Sequence, residues 1–265
     1  MEISITGPKV YFRLFESDSE FPIYIGNLIT QTTVTSFVVM ILLIVSAYFL
    51  TRKLSKRPTR VQVVVEKLVG MLYKLVEETM GSHNLKFAPY IGTLFLSSIC
   101  GTLLGMTNIF RSATADLSTT LAWALVTTGL VWYSNIKNFG FLKWLKGFTE
   151  PIAVMTPMNI VSEIATPISM AFRHFGNVAG GSVLTALIYT SLATLSSVLL
   201  RWIPGYISTI PFFQVGIPAF LSIYFDLFSG FVQALVFSLL TMVYVGAANP
   251  PALELPPKKV KSSKK

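Results

Sequence analysis

Charged residues are scarce in this chain. Of its 265 residues, 12% are Asp, Glu, Lys or Arg, whereas a soluble globular domain has about 25%. Hydrophobic residues make up 52%, and apolar runs recur at the roughly 20-residue length that crosses a bilayer as a helix. Continuous runs of this length do not suit an outer-membrane barrel. The composition therefore argues against a soluble enzyme and predicts an all-α, polytopic membrane protein.

Several other features are missing. Cysteine occurs once, as Cys100 in an apolar run, so no intramolecular disulfide is available. The first 27 residues do not resemble a signal peptide, and no internal repeat of the transporter type is visible. Because the sequence has no phosphate loop, HExxH-type spacing or nucleophile elbow, we predict no catalytic residue, no cofactor, no metal and no enzymatic activity of its own.

Five apolar segments are long enough to cross a membrane, and the predicted spans are 29–50, 89–108, 117–136, 150–200 and 212–247. Segment 61–82 differs because charged residues interrupt its helically spaced apolar residues, which predicts an amphipathic helix at the interface. The last two spans exceed what the roughly 30 Å hydrocarbon core requires. We therefore expect a long tilted helical hairpin, whose first helix has Pro157 and Pro167 as sites for a bend or a break.

The net charge is +9, and the basic residues concentrate in three clusters, at 52–60, 137–146 and 258–265. The positive-inside rule places such clusters in the cytoplasm, so nucleic-acid binding is not needed to explain them. Five crossings from an outside N-terminus satisfy this rule. We predict an external head at 1–27, a single membrane domain at 28–248 and a basic cytoplasmic tail at 249–265. The expected location is the bacterial inner membrane, with an organelle inner membrane as the alternative.

The fourth span contains Arg173. Arginine keeps its charge at physiological pH, and at the bilayer centre it costs about 2.5–3.5 kcal/mol on insertion scales. Asn177 shares its helix face, and the small residues Gly176 and Gly180 allow another helix to approach closely. Two interpretations follow: ordinary packing with Arg173 paired to an internal carboxylate, or a fixed cation on a functional pathway.

The last span presents three polar residues on one face, Asp226, Gln233 and Tyr244. On the preceding span, Glu163 lies ten residues inward of Arg173, and Ser182 lies nine residues outward. Polar groups thus occur on both sides of a central arginine. This layout favours two half-pathways separated by a positive barrier over a sealed ion pair.

These motifs resemble subunit a of the F-type ATP synthases. The resemblance is strongest over 157–180 and 225–244, weaker at the threonine-alanine-aspartate element 114–116, and extends over about 28–248. It implies a non-catalytic stator subunit that supplies two proton half-channels and an arginine facing the c-subunit ring, coupling proton flow to ring rotation and ATP synthesis. The implied partners are the c-ring, b-type peripheral-stalk subunits, the rest of the F1Fo complex and membrane lipid, with no nucleic acid.

The resemblance also implies residue roles. Arg173 matches the essential arginine, and Gly176 and Gly180 would face the ring. The implied proton-translocation set comprises Arg173, Asn177, Gln233, Asp226, Glu163, Tyr244, Ser182 and Asp116. Two positions depart from the family pattern. His174 replaces the usual leucine, and we favour packing or a local hydrogen bond over proton relay. Ser182 replaces a frequent glutamate or histidine, so the outer pathway would depend on Asp226 and water.

A self-contained secondary transporter or channel that uses Arg173 for an anionic substrate is the alternative. The absence of an internal repeat counts against it. The sequence leaves open whether the coupling ion is H⁺ or Na⁺.

Overall fold

The computed structural model describes residues 10–13, 28–52, 54–56, 58–107, 112–150, 152–200 and 223–251. Most of the predicted head and tail, and the predicted start of the last span at 212–222, lie outside these residues. The described chain is predominantly helical. Its longer helices are α1 (Gln31–Thr51), α2 (Arg60–Met80), α3 (Ala88–Met106), α4 (Leu117–Phe139), α5 (Phe141–Gly147), α6 (Thr156–Leu200) and α7 (Ser229–Ala247).

Shorter segments join these helices. The described residues include 3₁₀ turns at Ser82–Phe87, Ala113–Ala115 and Ala153–Met155, and a π-helical turn at Ile223–Phe228 that precedes α7. Two short antiparallel strands, β1 (Val10–Arg13) and β2 (Leu28–Thr30), pair before α1 with a bulge in β1. The sequence analysis predicts no strand here, because pairs of three or four residues are too short to show a clear alternation.

Within the described residues, four helical segments are long and apolar enough to cross a membrane: Gln31–Thr51, Ser82–Gly105, Thr156–Ser196 and Ser229–Ala247. The chain is therefore a multi-pass membrane protein. The predicted span 117–136 coincides with α4, which has 23 residues but contains six Ser and Thr residues that lower its hydropathy. It is not one of the four segments, and the fifth crossing stays a prediction.

The predicted amphipathic segment is also helical, as α2, and begins with a side-chain cap. The hydroxyl of Thr59 accepts a hydrogen bond from the backbone N–H of Gln62 at 3.4 Å. Its position at a membrane interface remains a prediction.

Helix α6 continues for 45 residues without the break that its prolines allow. Pro157 lies in its first turn, where a missing N–H costs nothing. Pro167 lies inside the helix, and Thr166 next to it donates its hydroxyl to the carbonyl of Ser162. Hydroxyl bonds of this kind help a membrane helix accommodate proline. At 1.5 Å per residue, α6 measures about 68 Å.

The chain divides into two compact units. Unit one comprises 1–53, 94–121 and 170–237, and unit two comprises 54–93, 122–169 and 238–265. The core of unit two consists of residues from α2, α3 and α7, namely Val76, Met80, Ala88, Ile91, Met242 and Val245.

Hydrogen bonds from polar side chains hold the end of α7 in place within unit two. The carbonyl of Asn249 lies 2.8 Å from Nε2 of His83 and accepts a hydrogen bond from Asn84 at 2.9 Å, and the carbonyl of Ala248 accepts one from Asn138 at 2.8 Å. The last carbonyls of a helix have no partner within it. These bonds supply partners and attach α7 to its neighbours.

Gly81, which ends α2, generates a prediction about stability. Its backbone has φ +81° and ψ 157°, and an added Cβ would lie 2.8 Å from Cε1 of His83. Because this conformation is nearly restricted to glycine, at a cost of about 1–3 kcal/mol for other residues, Gly81→Ala should destabilise the chain and displace His83. Thermal unfolding of the purified, detergent-solubilised protein should show a lower midpoint for this variant.

Gly70→Ala is the matched control, because Gly70 lies within α2 and an added Cβ meets nothing within 4 Å. Replacing a mid-helix glycine by alanine stabilises by roughly 0.5–1 kcal/mol, so this variant should be at least as stable as the parent. Equal stability of the two variants would contradict the prediction.

Candidate functional site

Arg173 lies on an exposed face of α6. Gly176, Asn177 and Gly180 are exposed on the same side, and a Cβ added at either glycine would meet nothing within 4 Å. Among the side chains that the structure describes, no carboxylate lies within ion-pair distance of Arg173. The face therefore combines a permanent positive charge, an amide and a shallow surface that another helix can approach.

An amide pair joins this face to α7. Nδ2 of Asn177 donates a hydrogen bond to Oε1 of Gln233 at 2.6 Å. Gln233 is only 3% exposed, while Asn177 lies at the exposed edge of the pair. The structure thus brings together two of the predicted site residues from different helices.

Close packing of α7 against α3 accompanies this amide pair in unit one. A Cβ at Gly230 would lie 2.5 Å from Cγ2 of Thr102, and the rings of Phe95 and Phe231 meet edge to face at 5.8 Å. Only glycine permits this approach at 230, one turn before Gln233. The packing therefore fixes the height at which Gln233 faces α6.

His174 points away from the exposed face. Its ring is 1% exposed, and Nε2 lies 3.1 Å from Oγ of Ser98 on α3. The ring also meets Phe237 of α7 edge to face, with centroids 5.4 Å apart. The sequence analysis favours packing or a local hydrogen bond here. Packing and a hydrogen bond are both present, but the bond reaches a different helix.

Glu163 belongs to unit two, near the start of α6. Its Oε1 accepts a hydrogen bond from the indole Nε1 of Trp132 on α4. The Trp132 ring is part of an aromatic cluster with Trp144, 6.2 Å away, and Trp144 in turn contacts Phe148 at 5.1 Å. The carboxylate is thus held from one side by a ring that is itself packed.

Asp116 is placed immediately before α4, where it acts as a helix cap. Its Oδ1 accepts from the backbone N–H and the hydroxyl of Ser118, at 3.1 and 2.8 Å, and its Oδ2 accepts from the hydroxyl of Thr32 at 2.7 Å. These contacts attach the start of α4 to α1. A part in proton transfer stays a prediction for this residue.

The remaining predicted residues are less completely described. Tyr244 is half-buried on α7 in unit two. Ser182 lies in α6, and Asp226 lies in the π-helical turn before α7, but the side chains of both are outside the described part of the structure. Single π-helical turns occur frequently at functional sites, so the backbone around Asp226 is compatible with the predicted role.

Comparison with known families shows to which family the chain belongs. The family model described as ATP synthase A chain matches residues 33–246, which include most of α1, most of α7, all helices between them and every predicted site residue.

The chain belongs to the ATP synthase A chain family.

Relatives of this chain come from diverse bacteria. The "ATP synthase subunit a, sodium ion specific" of Propionigenium modestum is 32% identical, covering 91% of this chain and 84% of the relative. The "ATP synthase subunit a 1" of Crocosphaera subtropica is 34% identical, covering 83% of this chain and 86% of the relative. The "ATP synthase subunit a" of Moorella thermoacetica is 30% identical, covering 82% of this chain and 89% of the relative. Members of this family are non-catalytic subunits, so the prediction of no enzymatic activity of its own is confirmed.

Trp132 and Ser98 were not predicted from the sequence. Both lie in apolar spans whose periodicity gives no reason to select them. Ser98 could have been noticed as a hydroxyl in an apolar segment, since such groups often bond across membrane helices. No comparable signal identified Trp132.

The Trp132–Glu163 contact yields a second prediction. Trp132→Phe keeps an aromatic ring in the cluster but removes the N–H donor, so Glu163 loses its partner. If Glu163 takes part in ion transfer, ATP-driven ion pumping in inverted vesicles should fall about three- to tenfold, which corresponds to the loss of a hydrogen bond worth about 0.7–1.4 kcal/mol net.

Trp144→Phe makes the same substitution in the same cluster, at an indole for which the structure gives no contact with Glu163. It should pump within about twofold of the parent. A similar loss in both variants would mean that the aromatic packing matters and the bond to Glu163 does not.

Proposed function

We propose that this chain is the ion-conducting stator subunit of a rotary ATP synthase, in which Arg173 faces a carboxylate on the ring of c subunits. The observation that supports this most directly is the exposed Arg173 face. A fixed charge in an apolar helix needs a polar partner, and the described side chains of this chain offer no carboxylate at ion-pair distance. The partner is a group on another subunit.

The chemistry of such a pair is reversible. A carboxylate in a low-dielectric site favours its neutral form, whereas a nearby cation favours the ionised form. A ring carboxylate that arrives next to Arg173 gives up its ion and takes up another after it has moved away. The arginine also repels a cation that would pass directly between the two half-channels. The driving force is about 2.3 kcal/mol per charge per 100 mV.

The small residues around Arg173 suit this partner. Gly176 and Gly180 leave room beside the guanidinium, so a ring helix can approach closely. The Asn177–Gln233 pair adds an amide at the edge of the same face. Donors that are held in place before the charge arrives stabilise it without reorganisation.

The finer assignments form one proposal. Glu163 and Tyr244 line the inner half-channel, Asp226 and Ser182 line the outer one, and Asp116 supports it. The single membrane domain covers 28–248 and crosses the membrane five times, and α4 is the third crossing. Helices α6 and α7 form a tilted hairpin that lies against the ring. The head at 1–27 is external, and the tail at 249–265 is cytoplasmic. The b-type stalk subunits and the rest of F1Fo complete the complex in the bacterial inner membrane.

Arg173→Ala tests the function directly. In inverted vesicles containing the complete complex, ATP-driven ion pumping should fall to background while the chain remains in the membrane. The assay should be run with and without added Na⁺, because the Propionigenium modestum relative is described as sodium ion specific. Arg60→Ala removes a basic residue at the exposed start of α2 and should pump normally. Normal pumping by Arg173→Ala, together with changed uptake of a solute, would support the self-contained transporter instead.

Asp226→Asn tests the outer half-channel. If Ser182 cannot replace a titrating group, ion flux should drop about a hundredfold, the lower end of what a proton-transfer group typically contributes. The flux should be measured both as ATP-driven pumping and as passive conductance after removal of F1. Near-normal values in both assays would mean that the outer pathway uses other groups.

A further inference from the structure

Arg173 and His174 are neighbours on α6 but face in different directions. Consecutive residues of an α-helix differ by about 100° around its axis. Arg173 is exposed, together with Gly176, Asn177 and Gly180, whereas His174 is 1% exposed. Whatever holds His174 in place therefore also determines where Arg173 points.

His174 is held from two sides within unit one. Ser98 of α3 lies 3.1 Å from its Nε2, and Phe237 of α7 meets its ring edge to face at 5.4 Å, with an interplanar angle of 81°. Ser98 and Phe237 are 1% and 2% exposed. Packing against Phe237 restrains the ring on one side. The hydrogen bond to Ser98 restrains the orientation of the ring as well, because hydrogen bonds weaken steeply when they bend.

We propose that His174 is a positioning residue for the ion-transfer step: its hydrogen bond to Ser98 sets the rotation of α6 about its axis and so directs Arg173 outward. This inference depends on the role of Arg173 proposed above.

The Asn177–Gln233 pair does not make this bond redundant. Asn177 lies one turn beyond Arg173 and attaches α6 to α7 at the exposed edge. His174 attaches α6 to α3 on the buried side. One tie on each side of the helix opposes rotation in both directions, whereas either tie alone leaves one direction free. Losing the His174–Ser98 bond should therefore turn Arg173 rather than unfold the chain.

The test is a double-mutant cycle in the complete complex in inverted vesicles. His174→Leu keeps an apolar side chain next to Phe237 but removes the nitrogen, and Ser98→Ala removes the hydroxyl. His174→Gln keeps a polar group at a similar reach and serves as the rescue variant. Thr93→Val is the control on the same helix, because the hydroxyl of Thr93 is exposed and bonds to the carbonyl of Pro89.

Two quantities are measured for each variant, both normalised to the amount of this chain in the membrane. One is ATP-driven pumping, and the other is passive ion conductance after removal of F1. His174→Leu and Ser98→Ala should each reduce pumping about tenfold. Misplacing a reacting group by about 1 Å can cost about a hundredfold in rate, so a tenfold loss fits a turned arginine. The ratio of passive conductance to pumping should rise, because an arginine that points elsewhere no longer separates the half-channels. A loss of correctly folded protein lowers both quantities together.

The two residues should act as one unit. The double variant should pump about tenfold less than the parent, as each single variant does, rather than about a hundredfold less as independent effects would give. His174→Gln should recover pumping to within about twofold of the parent, since the bond to Ser98 is restored.

Additive losses, failure of His174→Gln to recover, or an unchanged ratio of conductance to pumping would each overturn the inference. Normal pumping by His174→Leu, with Arg173→Ala inactive, would also overturn it and leave the proposed function intact. Normal pumping by Arg173→Ala would instead remove the proposed function itself.

Discussion

The permanent charge of Arg173 is the constraint on which the rest of the candidate site depends. A guanidinium does not lose its proton at physiological pH, so it cannot avoid the cost of an apolar environment by becoming neutral. Lysine in the same place could do so. The surroundings of Arg173 suit a charge whose partner comes from outside this chain. Small residues leave space beside the guanidinium, and an amide lies on the same exposed face. A sealed internal ion pair would need a carboxylate within reach, and among the described side chains there is none.

Polar bonds between helices give this site its geometry. In a membrane, the hydrophobic effect does not drive helices together, so packing of small residues and hydrogen bonds decide how they meet. Unit one follows this rule with Asn177–Gln233, Ser98–His174 and the close approach at Gly230. Each contact is modest in energy, about 1 kcal/mol, but together they restrict the rotation and height of the helices that they join. The bonds therefore define positions more than they add stability.

Sequence patterns predicted single helices better than contacts between them. The bounds of α1, α2 and α4 lie close to the predicted segments, because runs of apolar residues and their spacing report on one helix at a time. The charge on α6 and the amides on α6 and α7 were also recognisable. Neither the partner of His174, 76 positions away, nor that of Glu163, 31 positions away, could be predicted. A periodic pattern identifies the face of a helix, but not which residue of another helix lies opposite.

Whether α6 continues through its internal proline could not be predicted from the sequence either. Pro167 could break α6, and the sequence alone gives no reason to exclude this. The continuous helix depends on local compensation, such as the hydroxyl of Thr166 bonding to the carbonyl of Ser162. The strands before α1 were not predicted either, since segments of three or four residues are too short to show a clear alternation.

The predicted carboxylates Asp116 and Glu163 differ in the number of hydrogen bonds that they accept. Asp116 accepts three hydrogen bonds, two from Ser118 and one from Thr32, and both of its oxygens are engaged. These bonds hold the start of α4 and join it to α1. Glu163 accepts one bond, from Trp132 to Oε1, and an ionised carboxylate has about four acceptor sites. Among the described contacts, the indole holds this carboxylate through one oxygen. Of the two, Asp116 is more fully engaged in joining helices, which leaves Glu163 as the better candidate for the ion transfer proposed above.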